Sequence, residues 1–135
     1  MVKINKILIE TSLGELIDKI SILEIKIDKI EDNIDKGEIT KEYTSLTNAL
    51  TKIKLSSNER TRINDFIIKL KEINIRLWNV ENEKRLAEKN KNFDKKFIEH
   101  ARNVYKLNDE RAKVKRQVNE SFGSNIKEVK KYTEY

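Results

Sequence analysis

Seven arginines stand in the chain, and Arg102, Arg111 and Arg116 fall in one stretch whose polar residues keep helical spacing. Between Phe97 and Asn119, the residues Arg102, Tyr105, Asp109, Arg116 and Asn119 share one helix face. Arg111 is placed differently. It falls on the apolar stripe between Val104 and Val114, with Asn108 one turn before it. A guanidinium that faces a core needs a partner, because an unpaired buried charge is costly. One reading is an internal ion pair, with Glu24 beside Ile20 and Ile27, or else Glu81 or Glu83, as acceptor. The other is an anion site built by Arg102, Arg111, Lys115 and Arg116, joined by Lys19 or Arg85 from a neighbouring helix. Arginine's planar fork takes a phosphate or carboxylate with two hydrogen bonds.

Other chemistries have thinner support. All-helical pyrophosphohydrolases hold Mg²⁺ with carboxylate pairs at i, i+3 on neighbouring helices. Glu15 with Asp18, Asp28 with Glu31 and Asp32 with Asp35 have that spacing, but no matching pair lies deep on a second helix. His100 has no nucleophile near it in sequence. Trp78 with Tyr105 could stack a base or sugar, though an indole at that spacing more often anchors a core. Lys113, Lys115, Arg116, Lys127, Lys130 and Lys131 could touch nucleic-acid phosphates. No nucleic-acid-binding motif accompanies them, and Asp109 and Glu110 interrupt the run.

Composition excludes more than it proposes. The chain has 135 residues, no cysteine, no proline, three glycines and one histidine. That leaves no disulfide scaffold, cysteine-rich zinc site, thiol nucleophile or glycine-rich phosphate loop, and no cofactor is expected. The net charge of +6 is uneven. Residues 1–50 sum to −3, whereas residues 84–135 sum to +7. Such asymmetry suits a polyanionic partner or two copies that attract each other. The excess of lysine, isoleucine and asparagine is what an AT-rich genome writes, so it is no nucleic-acid signal. No apolar run approaches the roughly 18 residues of a membrane helix, and no signal peptide is evident. The expectation is a soluble, cytoplasmic chain.

The elements that must position these residues are helices. Ser12-Leu13-Gly14-Glu15 and Ser56-Ser57-Asn58-Glu59 are capping boxes. Leu16, Ile20, Leu23, Ile27, Ile30 and Ile34 form a heptad seam, as do Ile63, Phe66, Leu70, Ile73, Leu77 and Val80. Ile68, Ile75 and Trp78 suggest a second buried side for the third helix. Tyr43, Leu46, Leu50 and Ile53 make a stripe after a cap at Thr40, and Gly37 is suited to ending the first helix. Asp94 caps a fourth helix that Gly123-Ser124 stops. The spacing predicts helices over 13–36, 41–54, 58–90 and 95–122 in one all-α antiparallel bundle with coiled-coil character. Residues 2–9 and 125–135 read as extended ends that could pair or lie on the bundle.

Two stretches carry a resemblance. They are Gly14-Glu15-Leu16-Ile17-Asp18-Lys19-Ile20-Ser21-Ile22-Leu23-Glu24-Ile25-Lys26 and Phe97 to Asn119 with Asn108-Asp109-Glu110-Arg111-Ala112 and Lys115-Arg116. With Leu77-Trp78 and Gly123-Ser124, they resemble a family of short bacterial proteins of unknown function. The resemblance implies proximity to glycosyltransferase and surface-polysaccharide genes. It also implies a polar network where the first and fourth helices meet, around Asp18, Lys19, Glu24, Lys26, Asn108, Asp109, Arg111, Lys115 and Asn119.

The expected function is a non-enzymatic helical interaction protein that self-associates into a homo-oligomer. A module for a small anionic ligand, with Arg102, Arg111, Lys115 and Arg116 as donors, is the alternative. Metal-dependent pyrophosphohydrolysis stands behind both.

Overall fold

The structure is a computed structural model that describes residues 1–135. Four helices make up the chain: α1 (Leu13–Lys29), α2 (Asn33–Thr51), α3 (Ser57–Lys89) and α4 (Lys95–Phe122). The architecture is all-α and bundle-like, as the spacing predicts, and no helix is long and apolar enough to cross a membrane.

Local chemistry sets most boundaries. Ser56 and Glu59 close a complete capping box. Asp94 accepts from the amides of Lys96 and Phe97, and Gly123 ends α4 at φ 65°, a left-handed turn that glycine adopts without penalty. The break between α1 and α2 departs from the expected 13–36 and 41–54. Here Asp32 Oδ1 accepts from the amides of Ile34 and Asp35 and starts a new helix, so α1 stops at Lys29. Gly37 therefore lies inside α2, and Thr40 is no cap. Ile34 continues the heptad in sequence but is 80% exposed, because it belongs to the next helix.

The core joins three helices: Ile17 from α1, Ile63, Leu70, Ile73 and Leu77 from α3, and Leu107, Val114 and Val118 from α4. Arg62 lies over Phe122 and Arg76 pairs with Glu110, so α3 and α4 run antiparallel. Gly14 meets Asn119 and Asp18 meets Arg111, so α1 is also antiparallel to α4. Among the helices, α2 packs mainly on α1 and buries no residue completely. The second face expected for α3 is not buried: Ile68 is 58% exposed, and Ile75 and Trp78 are half-buried.

At 33 residues α3 is about 50 Å long, while the 17 residues of α1 span about 25 Å. The third helix of the core is thus too short to cover the α3–α4 hairpin. No residue from Trp78 to Lys106 is buried. This distal part is a two-helix arm about 18 Å long. Leu86 and Ile98 lie on it, 51% and 56% exposed.

The two ends form no strand. Asn125 Nδ2 donates to Glu10 Oε1 at 2.8 Å, and the C-terminal segment then folds back along α4, through Glu128 to Lys115 and Tyr135 to Asp109. Val2, Ile4, Ile7, Leu8 and Ile9 are exposed.

Candidate functional site

The polar residues of α1 and α4 meet in one joint. It begins at the N-terminus of α1, whose first amides have no partner within the helix. Leu13 N–H donates to Ser124 Oγ at 3.2 Å, Gly14 N–H to Asn119 Oδ1 at 2.7 Å and Glu15 N–H to Ser12 Oγ at 3.1 Å. Residues from the end of α4 thus cap the start of α1. The approach is close enough that a Cβ at Gly14 would lie 2.6 Å from the carbonyl oxygen of Lys115. The Ser12 box is only half formed, because the Glu15 carboxylate leaves it and binds Lys115 Nζ at 2.7 Å.

One turn further, Asp18 is 0% exposed. Its carboxylate accepts from Arg111 Nε at 3.0 Å to both oxygens, from Arg111 Nη2, and from Asn74 Nδ2 at 2.9 Å. The same Asn74 amide donates to Ser21 Oγ at 2.9 Å, and that hydroxyl donates to the Asp18 carbonyl at 2.7 Å. Both oxygens of the buried carboxylate are therefore hydrogen-bonded, by donors from α3 and α4. Lys115, itself buried, lies between Glu15 and Glu128, with Asp18 3.9 Å away. Burial pulls both cations down. The hydrogen bonds to carboxylates outweigh it, and Arg111 and Lys115 both lie above their ordinary values.

Arg111 thus has a carboxylate partner, but a different one from those expected. Glu24 faces α2, where it accepts from Tyr43 OH at 3.5 Å. Glu81 sits near Lys84 and Arg85. Asp18 reaches the guanidinium because it stands on the stripe Gly14, Asp18, Ser21, Ile25, which repeats at 4, 3, 4 and is wholly buried. Glu15 and Asp18, the i, i+3 pair with metal-ligand spacing, each take a cation from α4. No group of three or more acidic or histidine side chains is placed to hold a metal ion.

Of the four cations expected to form an anion site, only Arg111 and Lys115 come together, and they do so on Asp18. Arg102 and Lys19 are exposed. Arg116 is exposed beside Glu120. Lys115 is saturated by carboxylates. Asn119 is buried under Gly14, whereas Arg116, one turn before it, is exposed. Tyr105 and Asp109 hold the C-terminus: Tyr135 stacks edge-on against Tyr105 at 5.1 Å and donates to Asp109, which pushes the Tyr135 phenol up to about 12. Asn108 and Arg111 remain together, 3.5 Å apart, and both line an open cleft of about 390 Å³ between α1, α3 and α4. Trp78, Asn82 and Arg85 line its other wall, so Trp78 is a cleft residue rather than a core anchor.

Sequence reasoning missed Asp18 as the partner, and with it Asn74, Ser21, Gly14 and Glu128. The signal for the first four was a small or polar residue at a position that helical periodicity assigns to the core.

No curated protein and no solved structure matches the chain. Residues 7–134 match a family described as a family of unknown function, DUF6165.

Proposed function

We propose, for a chain that belongs to the DUF6165 family of unknown function, that it is a helical interaction protein that pairs with a second copy through its α3–α4 arm. The observation that carries this reading is the arm itself, in which no residue from 78 to 106 is buried. A two-helix hairpin has no third helix to cover its apolar positions. Two such hairpins side by side make a four-helix bundle, which covers them. Val80, Phe97, Ala101 and Val104 are half-buried, and Leu86, Phe93 and Ile98 stand exposed.

The surface area supports it. A folded monomer of 16.0 kDa exposes about 7,400 Å² by the usual scaling, and this chain exposes 10263 Å². Part of the difference lies in the two extended ends, and an ordinary interface buries roughly 800 Å² per partner. The link to surface-glycan metabolism rests on the resemblance alone.

Sedimentation velocity tests the reading. The wild-type chain is expected at about twice its 16.0 kDa mass, and a Leu86→Glu, Ile98→Glu double variant at the single-chain mass with unchanged helix content. Both positions are on the surface, so the variant tests association rather than folding. A wild-type chain that stays monomeric up to about 1 mM, or a variant that still pairs, contradicts it.

A further inference from the structure

We propose that the cleft between α1, α3 and α4 binds a small hydroxylated ring that carries one oxyanion, a carboxylate or a phosphate group. The argument starts from the unequal use of Arg111. Asp18 holds its Nε and Nη2, while Nη1 has only the 3.5 Å contact to Asn108 Oδ1. A guanidinium has five N–H donors, and those of Nη1 have no closer acceptor beside the cleft that Arg111 lines. The buried carboxylate behind it fixes the side chain before any ligand arrives. A pre-set donor of this kind loses little freedom on binding.

The rest of the lining fits the same ligand. Arg85 reaches Glu81 only at 3.7 Å and is mostly exposed, so it is free to turn toward an anion. Asp18 already balances Arg111, so Arg85 against Glu81 leaves the cleft near neutral, which suits at most one oxyanion. Trp78 offers a flat apolar face of the kind that stacks on a ring. Asn82 and Asn108 both donate and accept, as hydroxyl groups require. The volume, about 390 Å³, lies at the small-molecule end of ligand sites.

The chain has one tryptophan, so its fluorescence reports the cleft directly. Glucuronate and glucose 1-phosphate are the probes, with neutral glucose as the control. Titration is expected to shift Trp78 emission saturably with at least one charged probe, and which one responds distinguishes carboxylate from phosphate. Glucose should bind at least about tenfold more weakly, and Arg85→Ala should weaken the charged probe by about tenfold, the usual effect of one hydrogen bond to a charged group. Arg85 lies on the surface, so this variant leaves the fold intact. No saturable change with either charged probe, equal binding of glucose, or unchanged binding in Arg85→Ala overturns the proposal. The outcome is independent of whether two copies pair, because the same titration is run on the Leu86→Glu, Ile98→Glu double variant.

Discussion

Asp18→Ala is expected to cost about 3–5 kcal/mol of folding stability, the range for removing one partner of a buried ion pair. The carboxylate is completely buried and receives hydrogen bonds from Arg111 and Asn74. Alanine would leave the guanidinium facing a void, and the amide of Asn74 would keep only Ser21. Water could reach Arg111 from the cleft side, which is why the expected loss stays within that range. Lys115 keeps Glu15 and Glu128 and is affected less. Asp18→Asn should lose less than alanine does, because its carbonyl still accepts one bond and fills the space. Urea denaturation followed by circular dichroism measures both. A loss below about 1 kcal/mol for Asp18→Ala would mean that the pair contributes nothing beyond an exposed one.

The second expectation sets two glycines against each other. Both lie in helices, where alanine is intrinsically better by roughly 1 kcal/mol. At Gly37 a Cβ meets nothing within 4 Å, so Gly37→Ala should stabilise by about 0.5–1 kcal/mol. At Gly14 a Cβ would lie 2.6 Å from the Lys115 carbonyl oxygen and 2.9 Å from Asn119 Oδ1. The first contact is backbone and cannot swing aside, so α1 must move off α4. Gly14→Ala is therefore expected to destabilise by about 1–3 kcal/mol, the cost of overpacking, despite the gain in propensity. Opposite signs from one substitution type, in parallel urea titrations, are the result to look for. Stabilisation at both sites would mean that the helices do not approach as closely as the Gly14–Asn119 hydrogen bond requires.

How much of this was legible in the sequence follows from how local each cause is. Ser56, Asp94 and Gly123 act within four residues of themselves, and the boundaries they set read directly from the chain. The α1–α2 break is equally local, through Asp32, but Ile30 and Ile34 happened to keep the heptad and masked it. The core seam of α3 was readable because its apolar residues repeat. The joint was half readable. Arg111 announced itself as a charge on an apolar stripe. Its partner did not, because Gly14, Asp18 and Ser21 repeat like core residues while lacking core chemistry. Periodicity counts apolar side chains, and this stripe is buried for its polar ones. Asn74 was hidden in the same way, beside Ile73 on α3. Glu128 could not be placed at all, since the path of the C-terminal segment depends on Lys115 and Asp109, which are distant in sequence.

The joint also explains why the basic fourth helix is a poor guide to partners. Its most distinctive cations, Arg111 and Lys115, are neutralised within the chain. The arm beyond the joint and the cleft at its base are the two surfaces proposed to meet another molecule. Pairing of two copies through that arm is the central claim. The chain lacks cysteine, so a single spin label can be placed without removing any native thiol. A label at Lys89→Cys, on the arm, is expected to show a defined dipolar coupling between copies that fades when unlabelled chain is mixed in. A label at Lys54→Cys, in the turn before the opposite end of α3, is expected to show a much weaker one. No coupling between copies at position 89, or a stronger one at position 54, would contradict the account.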